Sequence, residues 1–351
     1  MSWETIRLGD FLTLKRGYDL PSSQRESGDI PVVSSSGVTG YHNVAKVEGP
    51  GVVTGRCGTL GEVFFIHEDF WPLNTALYVQ DFKGNDPRFS AYFLKTILAG
   101  TSSDKAAVPG VNRNDLHARK VTVTRDLAQQ KAIASILSAY DDLIENNRRR
   151  IQLLEEASRL LYREWFVHLR FPGHEHVAIK DGVPEGWERK TLGDVAPLSY
   201  GKALKQDDRV SGPFPVYGSS GIVGTHVKAL VPGPTIIVGR KGNVGSVYWS
   251  SEDCHPIDTV YYIDSSRCSF HLYYALQHMS FINTDVAVPG LNRNFAHSRS
   301  ILIPEQKIYR LFEDTVAPMH LQIDLLCKEN VALAQARDLL LPRLMNGEIA
   351  V

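Results

Sequence analysis

A long segment near the middle of the chain carries apolar residues at alternating steps of four and three, the spacing of a heptad seam. Neither Gly nor Pro occurs between Ala128 and Arg170, so the pattern predicts one uninterrupted helix. Asn147 occupies a seam position, where a buried polar side chain fixes register or partner orientation; the alternative is an ordinary solvated asparagine. The seam consists of Ile133, Leu137, Tyr140, Ile144, Asn147, Ile151, Leu154, Ser158, Leu161, Trp165 and His168.

The same spacing returns toward the end of the chain and predicts a second long helix. We expect Pro318 to start or kink this helix, and Pro342 with Gly347 to end it, because proline lacks the N–H that a helix interior needs. Two seams of this length are typical of a coiled coil. The second seam consists of Phe312, Val316, Met319, Ile323, Leu326, Asn330, Leu333, Arg337 and Leu340.

The remaining sequence is rich in Gly and Pro and contains short runs of β-branched and aromatic residues, which predict strands. Apolar spacing adds one helix to each of these regions, near Phe89 to Ala99 and near Phe270 to Ile282. Two β-rich globules are therefore predicted. Their strand runs are Gly51-Val52-Val53-Thr54, Val63-Phe64-Phe65-Ile66, Leu77-Tyr78-Val79, Thr235-Ile236-Ile237-Val238 and Val260-Tyr261-Tyr262-Ile263.

The two halves of the chain repeat one another. Trp3-Glu4 recurs as Trp187-Glu188, and Leu8-Gly9-Asp10 recurs as Leu192-Gly193-Asp194 at the same offset. The sequence therefore contains an internal duplication, in which each globule is followed by a long helix. Further matched pairs are Pro31-Val32 with Pro215-Val216, Ser35-Ser36-Gly37 with Ser219-Ser220-Gly221, Gly55-Arg56-Cys57-Gly58 with Gly239-Arg240-Lys241-Gly242, and Val108-Pro109-Gly110-Val111-Asn112-Arg113-Asn114 with Val288-Pro289-Gly290-Leu291-Asn292-Arg293-Asn294.

These patterns divide the chain into five parts and predict an α+β fold. The first globule covers residues 1–127, the first long helix 128–170, a linker 171–185, the second globule 186–305 and the second long helix 306–351. Proline and glycine punctuate the linker, as in Phe171-Pro172-Gly173.

Charge and composition narrow the function classes. The chain has 38 basic and 39 acidic residues and a formal net charge of -1, so any phosphate-binding surface must be a local patch. The four cysteines show no CxxC spacing that could pair with histidines in a zinc finger, so we expect neither a metal site nor disulfides. The sequence also lacks a signal-peptide pattern and an apolar run of about 18 residues, which predicts a cytoplasmic protein without a membrane span.

Sequence motifs of catalysis are missing, and we expect a protein that is not itself an enzyme. The chain has neither the Asn/Asp-Pro-Pro-aromatic motif of amino-methyltransferases nor a Rossmann GxGxxG. The Gly-rich turn from Gly55 to Gly61 lacks the GK[ST] ending of a phosphate-binding loop. A helix start explains Pro304-Glu305-Gln306-Lys307 better than a nuclease fragment does. Exposed linker residues explain His174-Glu175-His176 better than metal ligands do.

Loops that recur in both halves carry side chains suited to DNA. The Gly-rich turns around Arg56 and Arg240 have two interpretations. They are either plain hairpin turns, in which glycine provides positive φ, or rigid turns that present a guanidinium to phosphate or to the O6 and N7 atoms of guanine. A type II turn explains the Pro-Gly of the second loop but not its Asn-Arg-Asn ending. The candidate DNA-binding residues are Ser35, Ser36, Arg56, Asn112, Arg113, Asn114, Ser219, Ser220, Arg240, Lys241, Asn292, Arg293 and Asn294.

In this order and twice over, the motifs resemble the specificity subunit of type I restriction–modification systems, across essentially the whole chain. The resemblance rests on the Trp-Glu and Leu-Gly-Asp starts, the Gly-Arg-x-Gly-x-x-Gly turns and the Val-Pro-Gly-[Val/Leu]-Asn-Arg-Asn loops. It also rests on Tyr162-Arg163-Glu164-Trp165-Phe166-Val167 with Arg170-Phe171-Pro172-Gly173, and on the ending from Leu339 to Ile349.

This resemblance implies two target-recognition domains separated by two long antiparallel helices. Each domain is expected to read one half of a split sequence in double-stranded DNA, and the helices are expected to bind two modification subunits. A restriction subunit can join them. S-adenosylmethionine, ATP and magnesium are expected on the partner subunits, with no cofactor and no metal in this chain.

Alternatives remain at this stage, because 351 residues is short for that family. A similar subunit serves type IIB systems, in which one partner polypeptide both methylates and cleaves. A non-DNA scaffold, whose coiled coil assembles other proteins, is a second alternative and requires the turn arginines to be dispensable. A stand-alone nuclease or methyltransferase conflicts with the missing motifs.

Overall fold

The computed structural model describes residues 3–56, 61–99, 111–281 and 290–351, and its contacts divide the chain into two units. Unit 1 combines Met1–Asn146 with Glu329–Val351, and unit 2 is Asn147–Lys328. Each unit therefore holds one β-rich globule together with a stretch of both long helices. The predicted five-part division stays a prediction, because these units cut across both helices.

The globule of unit 1 is built on three small sheets. A four-stranded sheet has the order β2-β8-β5-β6, a three-stranded sheet the order β4-β3-β7, and β1 pairs with β9. The strands are β1 (Trp3–Arg7), β2 (Thr13–Arg16), β3 (Ile30–Ser34), β4 (Gly37–His42), β5 (Gly51–Gly55), β6 (Val63–Ile66), β7 (Trp71–Pro72), β8 (Ala76–Asp81) and β9 (Lys120–Thr124). The helices are α1 (Leu8–Phe11), α2 (Pro87–Leu98) and α3 (Arg113–Ala118), and α4 (Leu127–Tyr162) follows them.

The globule of unit 2 has the same strand orders. Its sheets are β13-β19-β16-β17, β15-β14-β18 and β12-β20, and a short β10-β11 hairpin precedes them. The strands are β10 (Ile179–Lys180), β11 (Val183–Pro184), β12 (Glu188–Thr191), β13 (Ser199–Tyr200), β14 (Phe214–Gly218), β15 (Gly221–His226), β16 (Thr235–Gly239), β17 (Val247–Ser250), β18 (His255–Pro256), β19 (Val260–Ile263) and β20 (Ser300–Ile303). The helices are α5 (Leu192–Val195), α6 (Phe270–His278), α7 (Arg293–His297) and α8 (Gln306–Met345). All five predicted strand runs lie in strands, and the two predicted globule helices correspond to α2 and α6.

The first long helix is shorter than its sequence pattern predicts. Helix α4 ends at Tyr162, and a π-helical turn from Arg163 to Val167 follows it, so the seam position assigned to His168 is wrong and this side chain is exposed. The other seam residues are buried or half-buried. Asn147 is only 4% exposed, so the solvated alternative is wrong for this asparagine.

The second long helix contains both prolines that were expected to bound it. Helix α8 begins at Gln306 and runs through Pro318 and Pro342 to Met345, so Pro318 does not start it and Pro342 does not end it. Both prolines lie on the exposed side of the helix. An interior proline costs about 3 kcal/mol, and the burial of neighbouring apolar residues such as Val316 and Leu341 offsets this cost.

A charged network attaches the globule to both long helices in unit 1. Tyr92 on α2 donates a hydrogen bond of 2.5 Å to Asp141 on α4, and the same carboxylate forms an ion pair with Arg337 on α8. Burial raises the pKa of Tyr92, so the phenol remains a donor. Around this network, Ile133 and Leu137 pack in one apolar cluster with the globule helix and the end of α8.

Aromatic side chains make the corresponding attachment in unit 2. Phe312 on α8 is fully buried, and its ring lies 4.9 Å from that of Phe166 and 5.9 Å from that of Trp165. Trp187 and Phe171 extend the same cluster, with ring centroids 4.7 Å apart. Trp187 of the second Trp-Glu start and Phe171 of the Phe-Pro-Gly segment thus have a structural role, because they pack in one cluster with Tyr162 at the end of α4.

Two buried histidines in unit 2 predict a loss of stability in mild acid. Burial lowers the pKa of His271 and of His320 to about 4, compared with about 6.5 in an unfolded chain. Below about pH 6.5 the unfolded chain takes up protons that the folded chain does not, so the free energy of unfolding falls as the pH drops from about 6.5 to about 4. Each histidine contributes up to about 3 kcal/mol to this loss.

Urea denaturation at several pH values, followed by tryptophan fluorescence, measures this effect. We expect His320→Gln and His271→Phe each to remove part of the acid sensitivity, with substitution of the exposed His176 by Gln as the control. A stability that is as high at pH 4.5 as at pH 7.5 in the parent chain contradicts the prediction.

Candidate nucleic-acid interface

One backbone hydrogen bond in each unit joins the two loops that the sequence singled out. The carbonyl oxygen of Arg56 accepts from the N–H of Val111 at 2.8 Å, and that of Arg240 accepts from the N–H of Leu291 at 2.8 Å. The Gly-Arg turn and the Asn-Arg-Asn loop are therefore held together, although more than 50 residues separate them in sequence. Residues 57–60, 100–110 and 282–289, which complete these loops, lie outside the described residues.

In unit 1 this junction borders a cavity of about 510 Å³ with three arginines in its wall. Arg16 Nε and Arg56 Nη1 both donate to the carbonyl oxygen of Asn74, at 3.3 and 3.2 Å, so the two guanidinium groups are neighbours. None of the described lining residues is acidic, and the cavity therefore suits an anion. Its lining consists of Arg16, Arg56, Leu77, Val111, Asn112, Arg113 and Asn114.

In unit 2 the corresponding arginines lie against aromatic rings. The guanidinium carbons of Arg240 and Arg293 are each 5.0 Å from the ring centroid of Tyr200, and Arg240 is also 5.6 Å from that of Tyr261. These distances are typical of cation–π contacts. Arg240 Nη1 donates to the carbonyl oxygen of Asp258 at 3.2 Å, which repeats the bond between Arg56 and Asn74. Lys241 is exposed, and its backbone forms a bridge with Gly290.

The repeated serines lie in hairpin turns rather than in the arginine cavity. In the turn between β3 and β4, the N–H of Ser36 donates to the hydroxyl of Ser34 at 3.1 Å, and neither Ser35 nor Ser36 lines the cavity. In unit 2 the carbonyl oxygen of Ser219 accepts from the Ser246 hydroxyl at 2.7 Å, which joins the hairpin containing Ser219 and Ser220 to the Gly-rich turn. DNA contact by these serines stays a prediction.

The first asparagine of each Asn-Arg-Asn segment is a helix cap. Asn112 Oδ1 accepts from the N–H of Asn114 at 2.9 Å at the start of α3, and Asn292 Oδ1 accepts from the N–H of Asn294 at 2.8 Å at the start of α7. Capping satisfies a backbone donor that would otherwise have no partner in the helix. It explains why asparagine occurs at both positions without invoking DNA. The four residues that follow the caps are also exposed and have no capping role: Arg113, Asn114, Arg293 and Asn294.

Sequence reasoning missed a histidine that positions each of these short helices. His117 Nε2 accepts from the N–H of Leu14 at 2.9 Å, and His297 Nε2 accepts from that of Leu198 at 2.9 Å. Burial lowers the pKa of both histidines, which favours the neutral acceptor. A Cβ on Gly9 would come within 3.0 Å of His117, which explains the glycine of the Leu-Gly-Asp motif. The signal was present, because both histidines recur at the offset of the Asn-Arg-Asn repeat.

Sequence reasoning also missed Arg16 and Tyr200, which end β2 and β13. Neither belongs to a motif, and only strand pairing brings them to the arginines: Arg16 pairs with Leu77 and Tyr200 with Tyr261 in the two four-stranded sheets.

The described residues contain no cluster of three or more potential ligands that could hold a metal ion. His174, Glu175 and His176 are exposed, and Glu175 lies within 4 Å of both histidine rings. Across the same parts of the chain, no helix is both long and apolar enough to span a membrane.

The caps predict that the two asparagines of each Asn-Arg-Asn segment contribute unequally to stability. Asn112→Ala and Asn292→Ala should each lower the free energy of unfolding by about 0.5–2 kcal/mol, because each removes the side-chain acceptor at a helix start. Asn114→Ala and Asn294→Ala are the matched controls and should change stability by less than about 0.5 kcal/mol. Chemical denaturation of the four variants measures both effects, and equal losses in all four contradict the assignment of the caps.

Comparison with known proteins places these features in a family. A family model described as "Type I restriction modification DNA specificity domain" matches residues 1–156 and 184–315. The chain is 26% identical over 263 residues to the type I restriction enzyme MjaIX specificity subunit of Methanocaldococcus jannaschii, an alignment that covers 64% of this chain and 59% of that protein. It is 24% identical over 312 residues to the type I restriction enzyme HindI specificity subunit of Haemophilus influenzae, an alignment that covers 64% of this chain and 68% of that protein.

The fold is similar to that of a solved type I restriction–modification S subunit from M. genitalium. The TM-score is 0.65 with 18% sequence identity, and the match covers 98% of this chain and 96% of the other. The chain thus matches this subunit over nearly its whole length, whereas it spans about 59% of the length of the M. jannaschii relative.

Proposed function

Because the chain belongs to the family of type I restriction–modification specificity subunits, we propose that it is the sequence-specific DNA-recognition subunit of such a complex in the cytoplasm. Each β-rich globule reads one half of a bipartite target in double-stranded DNA, and the chain itself is not catalytic. The observation that supports this proposal most directly is that each globule has a cluster of arginines. In both globules an equivalent backbone hydrogen bond holds the two arginine-bearing loops together. Arginine is the side chain best suited to phosphate and to the guanine edge.

The two long helices are proposed to form an antiparallel coiled coil that docks two modification subunits. Outside their seams they carry large apolar residues that are exposed in this chain, and exposed apolar surface of this kind marks protein-binding sites. S-adenosylmethionine is proposed to lie on those modification subunits, and ATP and magnesium on restriction subunits that join them. The most exposed apolar side chains of the helices are Leu143, Leu153, Leu321, Leu325, Val331 and Leu339, which are 48% to 72% exposed.

Substitution of the turn arginines tests the proposed function. In a complex reassembled with modification subunits, Arg56→Ala and Arg240→Ala should each weaken binding to the target DNA by about 1–3 kcal/mol, since each removes one guanidinium contact. Electrophoretic mobility shift measures this. Arg125→Ala is the control, because it removes the same charge from an arginine that pairs with Glu4 at 2.7 Å. Unchanged affinity in both turn variants favours a scaffold that does not read DNA.

The helices are proposed to set the unread gap between the two half-sites. Helix α4 has 36 residues and α8 has 40, which at about 1.5 Å per residue give about 54 and 60 Å. Insertion of one heptad into each helix, after Asn146 and after Lys328, keeps the seam in register and adds about 10 Å. The accepted gap should grow by about three base pairs, at about 3.4 Å each.

Methylome sequencing of cells that carry the double insertion measures the gap and the bases together. A heptad inserted into the linker, between His176 and Val177, is the control and should leave the gap unchanged. Altered half-site bases with an unaltered gap contradict the role of the helices.

A further inference from the structure

The two arginine clusters share a backbone frame but hold their guanidinium groups in different ways. Arg16 and Tyr200 occupy equivalent positions in the two globules. Arg16 ends the edge strand β2, which pairs with β8, and Tyr200 ends the edge strand β13, which pairs with β19. In unit 1 this place adds a third guanidinium to the cavity wall. In unit 2 it supplies an aromatic ring, over which both arginines lie.

The difference is one of arrangement rather than of formal charge. The first globule has Arg16 where the second has the uncharged Tyr200, but the second has Lys241 where the first has Cys57. The two regions therefore carry the same formal charge. What distinguishes the clusters is the number of guanidinium groups and the surfaces that they leave free.

Three guanidinium groups around one cavity require a ligand with several acceptor atoms. A guanine edge offers O6 and N7, which a single arginine already saturates in a bidentate contact. A phosphate offers several oxygens and a negative charge, which also offsets the mutual repulsion of neighbouring cations. Because Arg16 and Arg56 donate to the same carbonyl oxygen, their remaining N–H groups stay close to one another. The cavity in unit 1 therefore suits a phosphate better than a base.

The cluster in unit 2 favours the opposite kind of contact. The guanidinium carbons of Arg240 and Arg293 both lie over the ring of Tyr200, 5.0 Å from its centroid. The ring accepts no N–H bond in the plane of a guanidinium, so the N–H groups of both arginines are left for a ligand. Arg240 is further restrained by its bond to the carbonyl of Asp258. A guanidinium fixed in orientation is preorganised for the planar, bidentate contact that distinguishes one base from another.

We propose, resting on the proposed function above, that Arg16 with Arg56 and Arg113 binds a backbone phosphate, whereas Tyr200 is a positioning residue that orients Arg240 and Arg293 toward a base edge. The first globule then contributes its cluster mainly to affinity, and the second contributes its cluster mainly to sequence choice. Phosphate contacts position a protein on DNA, and base contacts specify the sequence.

The salt dependence of binding tests the phosphate site. For the reassembled complex on its target duplex, the slope of log K against log salt should fall in magnitude by about one for Arg16→Ala, as expected for one lost phosphate contact. Affinity should fall alike for target and non-target duplexes, and both half-sites should stay unchanged in the methylome. Arg16→Lys keeps the charge and should restore most of the slope. Arg16 is exposed, and thermal unfolding verifies that each variant is folded.

The base contact is tested at Tyr200 on the same complex. Tyr200→Ala should leave the salt slope as in the parent but lower discrimination at one half-site by about 5- to 150-fold, the range for a lost bidentate base contact. Tyr200→Phe keeps the ring and should retain the discrimination of the parent, whereas Tyr200→Leu should behave like the alanine variant. A role of Tyr200 in folding alone would not produce a loss confined to one half-site.

The outcomes separate this inference from the proposed function. A parent complex that binds target and unrelated duplexes equally overturns the proposed function. If the parent discriminates, then an unchanged slope in Arg16→Ala, a half-site altered by that variant, or full discrimination in Tyr200→Ala overturns the inference and leaves the proposed function standing.

Discussion

The attachment of each globule to the long helices is the constraint on which the rest of the structure depends, because it fixes the sheets that carry the arginines. In unit 1 it centres on the Tyr92 hydroxyl, the Asp141 carboxylate and the Arg337 guanidinium. In unit 2 a tyrosine again makes the contact, as Tyr274 and His320 Nε2 form a hydrogen bond of 2.8 Å. The attachment is thus stabilised by charges in one unit and by neutral groups in the other.

This chemical difference has a physical consequence for each unit. The ion pair of Asp141 and Arg337 is partly removed from water, so it loses part of its hydration free energy, which its mutual attraction and hydrogen bonds offset. The bond that Asp141 accepts from Tyr92 contributes to this offset. His320 avoids the loss by remaining neutral, since burial lowers its pKa to about 4. A protonated ring would leave a charge among the aromatic side chains of Trp249, Phe270 and Tyr273.

The sequence predicts the two long helices and the five strands that it names, because periodicity and runs of β-branched and aromatic residues report buried elements. It overestimates α4, since the π-helical turn after Tyr162 depends on an aromatic cluster whose other members, such as Trp187 and Phe312, are distant in sequence. It misplaces the proline boundaries of α8, because local proline chemistry carries no information on how much packing offsets its cost. Tertiary contacts account for both differences.

In the candidate site, too, the sequence motifs identify individual residues but not the contacts between residues that are distant in sequence. Motif reasoning selects Arg56 and Arg113, but their proximity rests on a backbone bond between loops that the motifs do not connect. Asn112 looks like a polar ligand in sequence and proves to be a cap, because an asparagine immediately before a helix can either bind a ligand or accept from the first backbone N–H groups. Arg16 has no motif at all and becomes visible only through the pairing of β2 with β8.

Duplication explains how two unlike clusters came to share one frame. The bonds that hold the frame are made by backbone atoms, by the capping asparagines and by His117 and His297, and these recur in both globules. Arg16 and Tyr200 lie outside that set and are exposed, so a substitution there changes the chemistry of the cluster without disturbing the core. Because the bonds of the frame do not depend on that side chain, each globule can acquire its own contact chemistry while the fold stays the same.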